Sequence, residues 1–500
     1  MTFLSFCRVL VAGLAVSSAL LTAATPGSRE PVTPGATPEA RALLELLYDL
    51  SGKHTLTGQH NYPNIKDRNT RFAARYTGAM PAVFSTDFGH AKPGDTDSYL
   101  ARPDIVQESI RQHRLGAIVT ICWHAVPPTA DEPITFAPLP GADPKALRSV
   151  QGKLLDAQFR DVLTPGTALH AKWAAQVDAI AVPLKELQLA KVPVLWRPYH
   201  EMNGDWFWWG GRGADTAALY KQIHDRLVNH HGLKNLVWVW SVDRVSRPGM
   251  EHEKYWPGLE FVDVLGLDVY GNDFAQKYYD SLEKLSQGKP LALAEVGNPP
   301  ALEILERQPK WTFFVVWAGM TRNAPRPTYD TLFASPRVVN LDDAEYGPLT
   351  KKYRQDLGLP PVALASKSNF TGEWLIDDSA SQFTRGAASS PARLEVNQLG
   401  DDLRVRSTTI VEFAEDRSHD DHFTIDGPAA EAKVNNSTRS TRVQRGAKAS
   451  LVFETTTAAP GAPGGKSITK ATWSLLDDGR TLMIESNEGA RTAKLVFRRR

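Results

Sequence analysis

Glu201 is the carboxylate with the most suggestive surroundings in the chain, and it lies in a segment that runs from Leu195 to Gly210. The first part of that segment is apolar, which predicts a buried strand that ends near Glu201. Side chains alternate along a strand, so Arg197, Tyr199 and Glu201 should share one face until the strand ends. A buried arginine and glutamate need partners, because unpaired buried charge is costly. The two residues therefore form either a structural ion pair or part of a functional site.

Aromatic residues around Glu201 favour the second interpretation. Most of them follow the glutamate closely, where a loop rather than a core is expected, and the chain holds 13 tryptophans in all. A flat indole ring offers an apolar face on which the C–H face of a pyranose can stack. The cluster is therefore interpreted as a set of stacking platforms around a sugar chain. Its members are Tyr199, Trp206, Phe207, Trp208 and Trp209.

Glu295 is a second carboxylate at the end of an apolar segment. A lone glutamate in such a position is more often structural than catalytic. A catalytic role for Glu295 is favoured if the two segments are strands four and seven of one closed barrel, because those strands face each other across its mouth. Two carboxylates on either side of a glycosidic bond can divide the work of hydrolysis, and retaining enzymes hold them about 5–5.5 Å apart. One must start protonated and the other ionised, so their surroundings must split their pKa values.

The elements that would position these residues form a repeating pattern. Eight short apolar segments alternate with helical patterns as far as about Asn340, and several are nearly continuous in apolar residues, as strands covered on both faces should be. This alternation predicts a (β/α)8 TIM barrel, which belongs to the α/β class. A doubly wound open sheet is the alternative, but no glycine-rich phosphate loop follows the first segment. The predicted strands are Thr55–His60, Ala82–Phe88, Ala117–His124, Val192–Glu201, Leu236–Val242, Val262–Tyr270, Leu291–Val296 and Phe313–Trp317.

Polar and aromatic residues gather at the C-terminal ends of these segments. Barrel enzymes build their active sites on that face, so the asymmetry supports a functional site more strongly than any single residue does. Between the segments lie helix candidates such as Asp215–His230, for which Asp215 is the expected capping residue. The strand-end residues are Gln59, His60, Asp87, Trp123, His124, His200, Glu201, Asp243, Asp268, Tyr270, Glu295 and Trp317.

The chain is predicted to contain two domains, which agrees with its length of 500 residues. The barrel domain is expected over residues 38–357. It should begin with a helix in which Thr37 is the N-cap and Pro38 the first helical residue. A linker over residues 358–368 would lead to a second domain over residues 369–500.

The second domain has a different composition, with more Thr, Ser, Asp and Gly and with short alternating strands. Turn sequences such as Gly400-Asp401-Asp402 separate those strands. The pattern predicts a smaller all-β domain, either an antiparallel barrel or a sandwich. Its opening strand, which includes Trp374, loosely resembles that of a lipocalin-type barrel. A role in carbohydrate binding and a structural or docking role both stay open.

The N-terminus has the pattern of a secretion signal over residues 1–24, followed by a Pro- and Thr-rich linker over residues 25–37. Its apolar run, Val9 to Leu21, is too short to span a bilayer. The protein is therefore expected to be secreted or periplasmic. Cys122 is then the single cysteine of the mature chain, so no intramolecular disulfide can form.

Charge and histidine spacing narrow the expected partners. The net charge of +1 gives no indication of nucleic acid or of an anionic membrane surface. The histidines are scattered over separate segments without close ligand spacing, so no metal site is expected. The oligomeric state is not predicted.

The stretch Arg197-Pro-Tyr-His-Glu-Met-Asn-Gly-Asp-Trp-Phe-Trp-Trp-Gly210 closely resembles the acid/base motif of glycoside hydrolase family 26, which consists mainly of endo-β-1,4-mannanases. The resemblance covers roughly residues 40–355. Other points that resemble the family's signature are Gly58-Gln59-His60, Trp123-His124, Asp268-Val-Tyr270, Ala294-Glu295-Val-Gly297 and Val316-Trp317.

The resemblance implies a role for each matching residue. Glu201 would be the acid/base and Glu295 the nucleophile of a retaining enzyme that needs no cofactor. His124 and His200 would contact the sugar at the cleavage subsite, and Tyr270 would hold the nucleophile. Trp317 would form the floor under that sugar, and Trp206 would line the leaving-group side. Trp123 and Arg197 are also expected among the substrate-binding residues, and Arg197 and Asp87 would support the site. The implied substrate is a β-mannan or a related β-glycan.

Alternatives remain at two levels. Within the family, a β-1,3-1,4-glucanase or a β-1,3-xylanase would carry the same residues. The loop Ala125-Val-Pro-Pro128 also departs from the Asn-Pro that the family often has there, which leaves the fine specificity open. Outside the family's chemistry, a non-catalytic polysaccharide-binding protein could use the same barrel, although it would not need a glutamate at both positions.

Overall fold

The structure is a computed structural model, and it describes residues 29–89, 98–359, 369–383, 391–409, 416–434, 437–458, 466–476, 479–488 and 491–499, apart from residues 64, 133 and 139. The predicted signal peptide, part of the predicted N-terminal linker and most of the linker over residues 358–368 lie outside these ranges. Among the described residues, no helix combines the length and the apolar character needed to cross a membrane.

A closed barrel of parallel strands forms the first part of the chain, as predicted. Strand β1 pairs with both β2 and β8, which closes the sheet. The strands are β1 (Thr55–His60), β2 (Val83–Asp87), β3 (Ile118–Trp123), β4 (Val194–Pro198), β5 (Leu236–Asp243), β6 (Val264–Val269), β7 (Leu291–Val296) and β8 (Trp311–Val316), with the short β9 (Val338–Val339) beside β1.

Helices surround the barrel in alternation with the strands. They are α1 (Pro38–Leu50), α2 (Arg68–Thr77), α3 (Ser98–Leu115), α4 (Asp156–Leu163), α5 (Ala168–Leu189), α6 (Ala214–Asp225), α7 (Gln276–Ser286), α8 (Leu302–Arg307), α9 (Arg326–Phe333) and α10 (Tyr346–Asp356). Short 3-10 turns lie at Pro144–Ala146, His252–Tyr255, Leu259–Phe261 and Ala318–Asn323.

Two helix predictions had different outcomes. The predicted start of α1 is confirmed, because the Thr37 hydroxyl accepts a hydrogen bond from the backbone N–H of Ala40 at 3.2 Å. The prediction that Asp215 caps α6 is wrong. Gly213 occupies the N-cap with a φ of 52°, and Asp215 lies inside the first turn, where its charge still complements the helix dipole. Beyond Asp225 the helix continues as a π-helical turn, Arg226–His230.

Alternation along the strands divides the apolar residues into two groups. Large side chains such as Trp196 and Trp238 point outward and pack with the helices. The alternate residues point into the barrel and fill its lower part, so the catalytic face rests on a packed core. These inward residues include Leu56, Leu195, Val237, Val239, Val264, Ala292, Phe313 and Val315.

The C-terminal region is a separate antiparallel domain, and the turn predicted at Gly400 connects two of its strands. Its two edge regions meet at a bridge between Ile425 and Val443, so one curled sheet surrounds a single core and a barrel describes it better than a sandwich. The strands are β10 (Gly372–Ile376), β11 (Gln382–Phe383), β12 (Arg393–Leu399), β13 (Asp402–Thr409), β14 (Arg417–Thr424), β15 (Ala430–Val434), β16 (Ser437–Arg445), β17 (Ser450–Ala458), β18 (Lys466–Leu475), β19 (Thr481–Glu488) and β20 (Arg491–Arg499).

Candidate active site

A cleft of about 350 Å³ opens at the C-terminal ends of the barrel strands and contains both predicted carboxylates. Seven of the nine residues predicted for the site line it. They are Glu201, Glu295, His124, His200, Trp206, Tyr270 and Trp317. The remaining lining residues are Phe136, Gln151, Phe207, Asp243, Arg244 and Ser246.

Glu201 reaches this cleft through an irregular backbone rather than a regular strand. Strand β4 ends at Pro198, and both Tyr199 and Glu201 have a positive φ, 52° and 50°. The prediction that Tyr199 shares a face with Arg197 and Glu201 is therefore wrong. Tyr199 turns toward the helices, where its hydroxyl accepts a hydrogen bond from Trp173 at 2.9 Å. Positive φ values in non-glycine residues concentrate at functional sites.

The segment after Glu201 is held in place by Asn203. Its side-chain amide donates to the carbonyl of Asp243 at 2.7 Å and accepts from the Asp243 N–H at 2.7 Å. Glycines then allow the chain to fold tightly, because a Cβ on Gly204 would overlap the ring of Trp206. The indole N–H of Trp206 donates to Oε2 of Glu201 at 2.6 Å.

The electrostatic surroundings of Glu201 favour its protonated form. Burial raises its pKa well above the usual range, and the neighbouring carboxylates of Glu295, Asp268 and Asp243 raise it further. The hydrogen bond from Trp206 acts in the opposite direction. A carboxyl group that keeps its proton near neutral pH can serve as a general acid.

Glu295 lies across the cleft on β7, where the strand contains a bulge. Leu267 of β6 pairs with Leu293, whereas the next residue, Asp268, pairs with Glu295, so Ala294 is the extra residue. Ala292 faces the barrel interior and Leu293 faces the helices. Regular alternation would therefore turn Glu295 outward. The bulge turns its side chain into the cleft, which is a known use of bulges beside active sites.

The Glu295 carboxylate has two donors, one on each oxygen. Tyr270 donates its hydroxyl to Oε1, and the Arg197 guanidinium donates to Oε2. Arg197 also forms an ion pair with Asp268 at 2.8 Å. Burial and the nearby Glu295 raise the pKa of the Tyr270 hydroxyl, so it remains a donor. Glu295 thus has the partners of a carboxylate anion.

Asp268 completes this buried network, although it was predicted only as a strand-end residue and as part of the Asp268-Val-Tyr270 signature point. Its carboxylate accepts from Ser241 at 2.7 Å as well as from Arg197. Burial raises the pKa of Asp268 to about 8, with Glu295 adding to that effect and Arg197 opposing it. Two carboxyl groups, those of Asp268 and Glu295, thus share one guanidinium, and both raise the pKa of the nearby Glu201.

His124 and His200 lie together on the floor of the cleft, with ring centroids 4.4 Å apart. Asp87 orients His124, because its carboxylate contacts Nδ1 and also accepts from the His124 backbone N–H. Gly89 packs directly against this histidine, and a Cβ there would lie 2.5 Å from the Cβ of His124. The structure therefore places Asp87 as a support for His124, consistent with the sequence-based interpretation.

Trp317 follows β8 and stacks on His60, with ring centroids 4.0 Å apart and an angle of 11° between the planes. We call Trp317 and His60 the stacking wall. Gln59, beside His60, donates to the carbonyl of Ala318 at 2.5 Å and accepts from Thr321 at 2.6 Å. The loop after Trp317 is thus attached to the end of β1.

Three further aromatic residues, Trp208, Trp209 and Trp123, differ from the sequence-based expectation. Trp208 and Trp209 are fully buried, and their indole N–H groups donate to the carbonyls of Ala125 and His200 at 2.8 and 2.9 Å. They support the loop and are not stacking platforms. Trp123 is also buried and lines a different cavity between α3 and α5, outside the cleft. Its neighbour His124, the first residue after β3, lines the cleft instead.

Two groups of possible metal ligands come together among the described residues. His60, Asp87 and Cys122 form a buried group, and Asp178, His230 and His231 form one near the surface. In the first group, His60 contacts Ser85 at 2.8 Å and Asp87 contacts His124. In the second, Asp178 accepts from Arg226 and His231 at 2.6 Å each. Hydrogen bonds therefore engage ligand residues of both groups.

Comparisons of the sequence with known proteins identify one family. A model of the family described as glycosyl hydrolase family 26 matches residues 32–342. The chain is 34% identical over 326 residues to a mannan endo-1,4-β-mannosidase of Thermothelomyces thermophilus, which covers 62% of each protein. It spans only 45% and 48% of two mannan endo-1,4-β-mannosidases of a Piromyces species.

Solved structures of proteins from the same family are also similar to this chain. The GH26A protein of a Muricauda species is similar at 41% identity and a TM-score of 0.56, over 62% of this chain and 98% of that one. The GH26-CBM35 β-(1,4)-mannanase of Podospora anserina is similar at 29% identity and a TM-score of 0.54, over 65% and 70% of the two chains. The family match ends before the C-terminal β domain begins.

Proposed function

The chain belongs to glycosyl hydrolase family 26, and we propose that it is a retaining endo-β-1,4-mannanase with Glu201 as acid/base and Glu295 as nucleophile. The observation that carries this proposal is the contrast between the two carboxyl groups of one cleft. Burial and neighbouring carboxylates keep Glu201 protonated, while Arg197 and Tyr270 donate to Glu295. These are the opposite starting states that the reaction needs.

The reaction proceeds in two steps. In the first, Glu295 attacks the anomeric carbon and Glu201 transfers its proton to the leaving glycosidic oxygen, which leaves a covalent glycosyl-enzyme and an ionised Glu201. In the second, Glu201 takes a proton from water, the resulting oxygen attacks the anomeric carbon, and the bond to Glu295 breaks. Both residues return to their starting states, and the product keeps the β configuration.

The surrounding residues position the sugar for these steps. In this proposal His124 and His200 hydrogen-bond the sugar at the cleavage point, and Trp317 provides a flat face beneath it. Trp206 lies against the acid and lines the leaving-group side. Arg197 and Tyr270 act by holding the nucleophile. Trp123 lies outside the cleft, so any contribution it makes is to the support of His124.

Mannan is the proposed substrate because the relatives named above are mannan endo-1,4-β-mannosidases. A weaker similarity to endoglucanase H of Acetivibrio thermocellus, 26% identity over 137 residues, keeps β-glucan as a comparison substrate. The test is a parallel assay on β-1,4-mannan, barley mixed-linkage glucan and β-1,3-xylan. NMR of the first products from a mannooligosaccharide would report the linkage, the cleavage position and the configuration together.

A Glu295→Ala variant is the control for that assay. It should retain the fold and lose hydrolysis by a factor of at least about 10³, since the step that depends on the nucleophile is removed. An α-configured first product would refute the retaining mechanism. A parent protein that binds mannan without cleaving it would instead identify a polysaccharide-binding protein, the alternative outside this chemistry.

We also propose that the protein acts outside the cytoplasm, in the periplasm or beyond the cell. The support is the apolar run from Val9 to Leu21, followed by small residues, near the N-terminus. N-terminal sequencing of protein recovered from the medium and from the cell fractions tests this. A recovered protein that still begins at Met1 would contradict processing after residue 24.

A further inference from the structure

The C-terminal β domain packs directly against the barrel through its first strand, β10. Trp374 and Ile376 of this strand point into the β-domain core. The residue between them, Leu375, is buried on the opposite face, in the apolar cluster that contains Ala74 of α2 and Met80. Strand β10 is thus covered on both faces, and one of the covers is the barrel.

Ion pairs connect the same two parts. The side chain of Asp377 is only 2% exposed and lies between Arg498 of the β domain, at 3.3 Å, and Arg326 of the barrel, at 3.5 Å. Arg71 of α2 forms an ion pair with Asp416 at 2.9 Å, and a third pair joins Arg75 to Asp378. Burying a pair such as Asp377–Arg326 is costly unless its geometry is maintained. This contact is therefore a fixed interface and not a loose tether.

Helix α2 is the barrel element that receives most of these contacts, and it also contacts the loop that follows Trp317. The Arg322 guanidinium lies 5.0 Å from the ring centroid of Phe72, a side chain that packs against the β-domain core. The Tyr76 hydroxyl donates to the carbonyl of Ala324 at 3.1 Å. Arg326, the partner of Asp377, donates to the carbonyl of Tyr76 at 2.7 Å.

The start of α2 is connected to the other half of the stacking wall. Asn61, the residue after His60, accepts from the Thr70 N–H at 3.0 Å and donates to the Thr70 hydroxyl at 2.8 Å. Helix α2 thus contacts the β domain on one side and the chain next to both His60 and Trp317 on the other. Asp377 pairs with Arg326, Arg326 donates to the carbonyl of Tyr76, and Tyr76 donates to the carbonyl of Ala324. Two residues thus connect Asp377 to the chain that follows Trp317.

From this arrangement we infer that the C-terminal β domain is a fixed support that positions the stacking wall of the cleft, through α2. The inference rests on the proposed function, because it assigns the domain a part in holding the sugar. It selects between the roles that the sequence left open for this domain. Asp377 is a positioning residue, since it acts on Trp317 through other side chains.

The test is a double-mutant cycle in the full chain, with Asp377→Ala, Trp317→Phe and the double variant. A displacement of about 1 Å at a site that binds a reacting group can cost up to about 100-fold in rate, so Asp377→Ala should lower kcat/KM about tenfold in the parent. If this loss of kcat/KM acts through the indole of Trp317, it should be about twofold or less in the Trp317→Phe background. The reason is that the effects of two coupled residues do not add. Asp420→Asn, in an exposed ion pair with Arg406, is the matched control and should change little.

The outcomes are distinct. An equal loss in both backgrounds, or no loss in the parent, would overturn the inference. If Asp377→Ala does not fold, Leu375→Ala is taken through the same cycle. Hydrogen exchange of residues 55–61 and 317–323 gives a readout that does not need activity. If these two segments exchange faster in Asp377→Ala than in Asp420→Asn, the β domain supports the stacking wall, even if the parent fails to cleave mannan. Equal exchange in the two variants refutes the inference.

Discussion

Replacing Trp206 by phenylalanine should move the alkaline limb of the activity profile to higher pH. The indole N–H donates to Glu201 at 2.6 Å and lowers the pKa of that carboxyl group, against the larger effect of burial. Phenylalanine keeps a ring against the cleft and removes the donor. The ionised form of Glu201 then loses a partner, so its pKa rises.

The size of the change follows from the strength of the bond. A hydrogen bond to a charged group contributes about 1.5–3 kcal/mol, and one pKa unit corresponds to about 1.4 kcal/mol. Complete loss would therefore raise the pKa of Glu201 by about one to two units. Trp206 is only half-buried, so water replaces part of the bond, and we expect the limb to move by about 0.5–1 pH unit.

The assay is kcat/KM on a mannooligosaccharide between pH 4 and pH 10, because the alkaline limb of that quantity reports the essential acid of the free enzyme. The plateau should also fall, since the leaving-group side loses the wider indole surface. Trp317→Phe is the control that separates the two effects, because it should lower the plateau and leave the limb in place. A limb that stays fixed or moves to lower pH in Trp206→Phe would refute the assignment of Glu201 as the acid.

Three further changes test the surroundings of the two carboxylates. Asp243→Asn removes a negative neighbour that raises the pKa of Glu201, so the alkaline limb should move down by about one pH unit; an upward shift would contradict this. Gly204→Ala places a Cβ where the ring of Trp206 lies, and kcat/KM should fall about tenfold or more with little change in melting temperature. Tyr270→Phe removes the hydroxyl that donates to Oε1 of Glu295, and kcat/KM should fall about 10- to 100-fold, since a hydrogen bond to a charged group contributes about 1.5–3 kcal/mol; an unchanged kcat/KM would show that Tyr270 does not hold the nucleophile.

The strand positions could be predicted from the sequence because they depend on local, repeated signals. Apolar runs of strand length, ended by polar residues, mark all eight strands, and the predicted bounds of β1 and β7 agree with the structure. The cap of α1 is equally local, since Thr37 and Pro38 are adjacent. The α6 cap failed because an acidic residue fits both the cap and the first turn of a helix, and only the backbone decides between them.

Contacts between distant parts of the chain could not be predicted from such local signals. Arg197 was expected to need a partner, but nothing in its own strand indicates that Asp268 and Glu295 share its guanidinium. The block after Glu201 was interpreted as a sugar-binding surface, yet Trp208 and Trp209 are buried beneath it. Aromatic composition gives no information on which face of a loop is covered by other segments. The long loop before α4 provides that cover, through pairs such as Gln151 with Phe207.

Both candidate catalytic residues enter the cleft through a departure from regular backbone. In β4, β5 and β6 the inward polar residues follow the alternation set by inward aliphatic residues, as Arg197 follows Leu195. Glu295 breaks that alternation through the bulge at Ala294, and Glu201 lies beyond the end of β4 with a positive φ. A prediction based on alternation alone would therefore have turned Glu295 away from the cleft. The strand-end rule succeeded because the mouth of a barrel collects side chains from loops and bulges as well as from regular strands, and irregular backbone is where a fold can aim a carboxylate independently of its core.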